Sequence, residues 1–235
     1  MYGNIKIASI IPARAGSKGI RNKNTSLLDG KPLISHSIEH SLSSQYIDLT
    51  VVSTDSKEIA SIARSMGIIV NGLRPEYLCT DTAELYDVIR FEINNNMLCT
   101  RGYDLIVLLQ PTSPFRQDGV IDGAISDFVE FGQRSAVAVS EVNEHPLLIR
   151  RIEQNKLIPV ISKPSTVRRQ DLPVYYRVNG MLYINYISDI INGYVSFNDN
   201  ESPIIIDKSL ALDIDMPDDL KTAEQIIARL KEHYE

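Results

Sequence analysis

Hydrophobic positions along this chain fall into short, nearly unbroken runs separated by longer amphipathic stretches. Residues 5–11, 49–53, 68–70, 105–109 and 136–139 are apolar over most of their length and read as buried strands. Between them the period changes. Leu33, Ile34, Ser37, Ile38, Ser41 and Leu42 form a helical stripe that begins after Pro32. A second helix is predicted over 56–66, stopped by Gly67, and a third through Val88, Ile89 and Phe91, capped by Thr82 or a neighbour. A fourth covers about 120–131. Residues 180–184 and 204–206 regain strand character, and Pro217 opens a last helix. Alternation of this kind predicts an α/β fold, a mostly parallel sheet with helices on both faces. Ligands of such sheets bind at the carboxyl ends of the strands, so the loops after Ile11, Ser53, Val70 and Leu109 are expected to line one site.

The alternation fails between Glu141 and Val178, where Glu, His, Arg, Lys and Pro follow no clear period. The expectation is a single domain over 1–235 with an inserted arm or lid at 141–178. An arm that packs on a second subunit would explain the missing hydrophobic pattern.

Composition narrows the function more than the fold. The formal charge of −6 argues against a nucleic-acid partner, which would call for a broad basic face. Cys79 and Cys99 have neither metal-ligand nor redox spacing and read as reduced thiols of a cytoplasmic protein. No apolar run is long enough to span a bilayer, and the N-terminal run, broken by Pro12 and Arg14, does not read as a signal peptide.

Against this acidic background, one loop is basic. Arg14, Lys18, Arg21 and Lys23 alternate with Gly16, Ser17 and Gly19 directly after the first strand. Glycines let backbone amides approach phosphate oxygens, and the cations offset their charge, so the loop suits a polyphosphate. Its spacing is neither G-x-x-x-x-G-K-[ST] nor G-x-G-x-x-G, which argues against a P-loop NTPase and a dinucleotide-linked oxidoreductase. Asp213-Ile214-Asp215 is the second constellation: carboxylates two apart in an extended segment point the same way and can share a hard cation such as Mg²⁺. By itself the pair also fits a solvated strand end. Gln110, Thr112 and Ser113 follow the most apolar strand, between Pro111 and Pro114, and fit either a capped turn or a cleft wall. Arg169, Arg177 and Asn179 frame the return from the insertion, and arginine's planar fork suits a carboxylate. His36 and His40 read as structural, and His145 has no assigned role.

Ile11-Pro12-Ala13-Arg14 with Gly16-Ser17-Lys18-Gly19 and Lys23-Asn24 resembles the signature of the acylneuraminate cytidylyltransferases. Val52-Ser53-Thr54-Asp55, Arg74-Pro75 with Leu78 and Asp81-Thr82, 109–114 (LQPTSP), Asn179-Gly180 and Asp213-Ile214-Asp215 follow in the family's order. The resemblance implies a Rossmann-like nucleotidyltransferase, usually a homodimer, that joins CTP to an acidic nine-carbon sugar with Mg²⁺. Arg14, Ser17, Lys18, Lys23 and Asn24 would then hold the triphosphate, with Lys23 nearest the reacting phosphate. Arg74, Asp81 and Thr82 would enclose the cytidine. Gln110, Arg169, Arg177, Asn179 and Tyr183 would face the sugar. Asp213 and Asp215 would hold the metal, and Asp215 would help to deprotonate the attacking hydroxyl. Two departures stand out: Arg21 replaces a proline common in relatives, and the insertion matches only in pieces. The alternatives are the same chemistry on eight-carbon 3-deoxy-manno-octulosonate, or a CTP-binding regulator without turnover.

Overall fold

A computed structural model describes residues 1–17, 19–162, 168–193 and 197–232. In chain order its elements are β1 (Ile7–Pro12), β2 (Leu27–Leu28), β3 (Lys31–Pro32), α1 (Leu33–Ser43), β4 (Leu49–Ser53), α2 (Lys57–Ser65), α3 (Leu85–Asn95), β5 (Leu105–Leu108), α4 (Val120–Glu130), β6 (Ser135–Glu141), β7 (Arg150–Glu153), β8 (Lys156–Pro159), β9 (Tyr176–Tyr186), α5 (Ile187–Asn192), β10 (Ser202–Ile205) and α6 (Pro217–Glu232). Six strands form the main sheet in the order β10-β6-β9-β5-β1-β4. β1 pairs in parallel with β4 and β5, and β10 with β6. β9 runs antiparallel between β5 and β6.

The sheet is covered on both faces, which is why its central strands read as unbroken apolar runs. One core holds Ile34 and Ile38 of α1, Ile59 and Ala63 of α2, and Ile125 and Phe128 of α4 against Ile7, Ile11 and Val107. On the other face Ile89 and Ile93 of α3 and Ile190 of α5 meet Ala8, Ile10 and Ile106. A third cluster seats α6 through Ala223 on Leu28, Leu33, Phe115 and Ile214, bringing the Asp213–Asp215 segment to the sheet's carboxyl end.

Two expectations about local structure are corrected. Residues 68–70 are not a strand. Gly67 (φ 85°) turns the chain out of α2, the Ile68 amide donates back to the Ala63 carbonyl, and Ile68 and Val70 tuck under the helix while Ile69 stays exposed. The apolar triplet closes a helix end, where such contacts commonly accompany a left-handed cap. At α3 the N-cap is Glu84 rather than Thr82, and no side chain caps it. α2 does have its cap, the Ser56 hydroxyl accepting from the Ile59 amide at 3.3 Å.

The aperiodic stretch is an excursion from a long strand pair. β6 and β9 remain paired out to Glu141 and Tyr176, so the sheet carries the excursion on its own extended edges. There β7 and β8 form a separate hairpin, with Gln154 (φ 47°) and Asn155 (φ 63°) at its turn. Both turn residues are left-handed, the twist that tight hairpins favour. His145 braces the base: its Nδ1 accepts from the Leu147 amide, Nε2 donates to the Pro173 carbonyl, and its ring packs edge-on against Tyr175.

His40 staples α1 to the loop after β5, its Nε2 donating to the Pro114 carbonyl at 3.0 Å. Burial, helped by the nearby Arg116 charge, lowers its pKa from 6.5 to about 4. The unfolded chain therefore takes up a proton at this site below pH 6.5, while the folded chain stays neutral until about pH 4. Stability from this site is full above pH 6.5 and falls as the pH drops, by about 2 kcal/mol at pH 5. A His40→Gln variant, which keeps a donor but cannot titrate, is expected to gain on the wild type by roughly 4–8 °C in relative Tm between pH 7 and pH 5. Parallel pH profiles of thermal unfolding would contradict this.

Candidate active site

The loops after β1, β4 and β5 converge at the carboxyl end of the sheet, together with residues 71–83 and the segment before α6. They enclose a cleft of about 590 Å³. Arg14, Ser17, Lys23, Asn24, Arg74, Asp81 and Gln110 line it, as does Asp215. A smaller pocket of about 370 Å³ holds Arg177, Asn179, Tyr183 and Asp213 in its wall. Gln110 belongs to both. Each cavity has a size suited to part of a small-molecule substrate.

The glycine-rich loop is held from below. The Ala15 amide donates to Asp55 Oδ1 at 2.7 Å, Asn24 Nδ2 to the Arg14 carbonyl at 3.0 Å, and the Ser17 hydroxyl to the Ile20 carbonyl at 2.7 Å. Gly19 packs directly on the Asp215 backbone, where a Cβ would fall on the carbonyl oxygen. The cations at the mouth are already engaged: Arg14 Nη2 lies 2.7 Å from Asp81, and Lys23 Nζ 2.7 Å from Asp215. Arg21 is exposed. Lys18 and the Arg169 side chain, both expected to hold substrate, lie outside the described residues.

Arg74 is buried and differs from expectation in what its guanidinium does. Nε and Nη2 donate to Ser53 Oγ and to the Ser53 carbonyl at 3.1 and 2.8 Å, pinning 71–83 to the end of β4. Burial lowers its pKa, and burial raises that of Glu92, the nearby α3 carboxylate that also bonds Ser53. Asp81 reaches the cleft, while Thr82 lines a separate hollow along α3.

Asp213 and Asp215 flank the buried Ile214, whose amide donates to the Thr112 carbonyl at 2.8 Å. Asp213 faces the small pocket and Asp215 the large one. Burial raises the Asp213 pKa, the Asp215 charge adds to that, and Oδ1 of Asp213 is buried without a hydrogen-bond partner among the described residues. An orphaned hard oxygen beside a second carboxylate fits a divalent cation completed by substrate phosphates. Among the described residues no cluster of three or more His, Cys, Asp or Glu forms a cation cage of its own.

The small pocket is lined mostly by polar side chains, with Val178 among them. Arg177 donates to the Ala211 carbonyl at 2.9 Å, tethering the segment that carries Asp213. Tyr183 is buried edge-on against Phe197, and burial raises its pKa. Asn179 is buried with Nδ2 unpartnered. Gly180 (φ 73°) has the left-handed backbone that favours glycine, and a Cβ there would sit 2.7 Å from Gln110 Oε1, pushing that side chain aside. Asn198 also lines this pocket, and sequence reasoning missed it; a lone Asn after Phe197 gives no signal.

Residues 8–232 match the cytidylyltransferase family. The chain belongs to that family. Among cytidylyltransferases it is 37% identical over 231 residues to the CMP-N,N′-diacetyllegionaminic acid synthase of Legionella pneumophila, covering 95% of this chain and 97% of that one. It is 33% identical to the N-acylneuraminate cytidylyltransferase of Escherichia coli, over 89% of this chain and 49% of that longer protein. The structure of a CMP:2-keto-3-deoxy-manno-octonic acid synthetase complexed with CTP superposes with a TM-score of 0.72 at 16% identity, over 96% of this chain and 99% of that one. This likeness establishes the α/β nucleotidyltransferase fold. Among the described residues, no helix of this cytidylyltransferase is long and apolar enough to cross a membrane.

Proposed function

We propose that this cytidylyltransferase couples CTP to a nine-carbon α-keto acid sugar, releasing pyrophosphate. The observation that carries the reading is the meeting of two cavities: a cleft with Arg14 and Lys23 at its mouth, and a polar pocket lined by Arg177, Asn179 and Tyr183. The paired carboxylates stand one on each side, which is where an acceptor hydroxyl would meet a bound triphosphate. The anomeric oxygen forms a bond to the α-phosphorus, the bond to the β-phosphate oxygen breaks, and pyrophosphate leaves. Arg14, Ser17, Lys18, Lys23 and Asn24 hold the triphosphate, and Lys23 and Arg14 offset charge that builds up during transfer. Arg74 and Asp81 bound the cytidine side, Arg74 by fixing the loop, whereas Thr82, expected beside them, lines the separate hollow along α3. Gln110, Arg169, Arg177, Asn179 and Tyr183 orient the acid, and Asp215 takes up the hydroxyl proton. Asp213 and Asp215 would hold Mg²⁺, which supplies further charge neutralisation on the phosphates. Such a transfer depends mainly on positioning and electrostatics. Its nucleotide substrate fits a cytoplasmic site of action.

Pyrophosphate release tests the reading, with CTP, Mg²⁺ and a panel of acid sugars beside ATP and UTP controls. N,N′-diacetyllegionaminic acid comes first, since the relative matched end to end carries that name; N-acetylneuraminic, pseudaminic and 3-deoxy-manno-octulosonic acids follow. Release with CTP and one nine-carbon acid is expected. Release with the eight-carbon acid alone, or CTP binding without release, would overturn it.

The excursion serves as a dimerisation arm in the same reading. Ile152 and Leu157 are cross-strand partners on the β7–β8 hairpin, and both are largely exposed, as are Val160 and Val174. A side-by-side apolar pair on a two-stranded hairpin needs a surface to cover it. The wild type is expected to sediment as a dimer and an Ile152→Asp/Leu157→Asp double variant as a folded monomer. A wild-type monomer at micromolar concentration would refute the arm.

A further inference from the structure

We propose that Arg116 is the positioning residue of the acceptor half of the site. This inference rests on the cytidyl-transfer reading above. Arg116 follows Pro114-Phe115 at the end of the loop after β5, and it is buried. Among the described residues no carboxylate lies within ion-pair distance of it. Its guanidinium is instead spent on uncharged groups of three separate elements. Nη2 donates to the Gln110 carbonyl at 2.9 Å and to the Met181 carbonyl at 2.8 Å. Nε donates to the same Met181 oxygen at 3.2 Å, and Nη1 to Ser37 Oγ of α1 at 3.0 Å. Ser37 in turn donates to the Gln110 carbonyl at 3.2 Å, closing a ring of bonds around the loop.

A buried charge without a counter-ion is costly, and charge-assisted bonds to main-chain carbonyls are what offset it. Those carbonyls belong to the places where the small pocket is built. Gln110 stands in the wall shared by both cavities. Met181 follows Gly180, against which the end of the Gln110 side chain packs. Arg116 therefore sets the distance between Gln110 and the Asn179-Gly180 stretch of β9, the gap into which the acid sugar must fit. Among the described residues one other hydrogen bond joins this loop to that part of β9, from Ser113 Oγ to the Asn179 carbonyl at 3.3 Å. The triphosphate loop is anchored independently, through Asp55, Asn24 and Ser17. Arg116 touches no substrate cavity, so it acts through Gln110 and β9.

The test separates the two halves of the site. Arg116→Lys, Arg116→Met and Ser37→Ala are compared with wild type for CTP affinity by calorimetry without sugar, and for KM and kcat of the acid sugar. With Arg116→Met, CTP affinity is expected to stay within about threefold while the sugar's KM rises tenfold or more and kcat falls, since misplacement by about 1 Å can cost 10²-fold. Arg116→Lys should recover part of this. Ser37→Ala removes two bonds of the ring, the one it accepts from Arg116 and the one it donates to the Gln110 carbonyl, without touching the charge; it should move the same quantities by a smaller factor, which keeps the proposal exposed if the Arg116 variants fail to fold. Equal losses in CTP affinity and sugar KM, or lower Tm with unchanged sugar kinetics, would reduce Arg116 to a stabilising residue and overturn the proposal. If the wild type itself turns over no acid sugar, the functional reading fails instead, and that arm of the same assay reports it.

Discussion

Replacing Lys23 with alanine is expected to lower the rate of pyrophosphate release about 10²- to 10³-fold while leaving the fold intact. Lys23 is well shielded, with 12% of its side chain exposed, and its ammonium is fixed at the cleft mouth by Asp215. A charge held in place before the ligand arrives needs no reorganisation when negative charge grows on the phosphates, which is why a positioned donor contributes so much to rate. Its contribution to stability is smaller. Asp215 is 66% exposed, and a pair with one partner in water is worth about 1 kcal/mol or less. The variant should thus melt within a few degrees of wild type. Lys23→Arg keeps the charge but changes its shape, and should fall between the two. Undiminished turnover by Lys23→Ala would remove this residue from the chemistry.

Gly19→Ala is expected to lower kcat/KM by about 10²-fold and to lower Tm. The glycine is needed for space: an added Cβ would land on the Asp215 main chain. Backbone cannot swing aside as a flexible side chain can. Either the glycine-rich loop lifts or the acidic segment retreats, and both carry the residues proposed to hold phosphate or metal out of register. Gly16 is the comparison. Among the described residues a Cβ there meets no atom within 4 Å, so Gly16→Ala should leave Tm unchanged. Equal melting of both variants would show that the loop and the acidic segment are not in contact.

Much of this architecture was legible in the sequence because burial on both faces leaves a continuous apolar signal. β1, β5 and the helices over α1, α2 and α4 follow from that alone. The glycine-rich loop was legible for a different reason, the clash between its charge and the acidity of the chain. Direction is harder to read. β9 looks like any buried strand, and nothing in residues 180–184 reveals that it runs against its neighbours; that follows from a long return connection. Ile68 to Val70 misled because buried, exposed, buried is a strand's period and also a helix end's. Within the site, sequence placed Arg74 and Asp213 in the cleft region but could not say that Arg74 would be spent on Ser53. Arg116 gave no signal, because a single arginine after a turn looks like surface until its burial is seen.

The two ion pairs at the cleft mouth have a consequence for selectivity. With Arg14 closed on Asp81 and Lys23 on Asp215, the free enzyme carries its own counter-ions. Entry of a ligand is then an exchange, in which phosphates displace carboxylates from the cations and the released carboxylates need a new positive partner. A bare anion satisfies half of that exchange and strands Asp215; a lone divalent ion satisfies the other half and strands Lys23. On the proposed reading, a nucleotide arriving with its cation would complete both halves at once. The mouth of the cleft would then act as a two-key lock, answering poorly to either key alone.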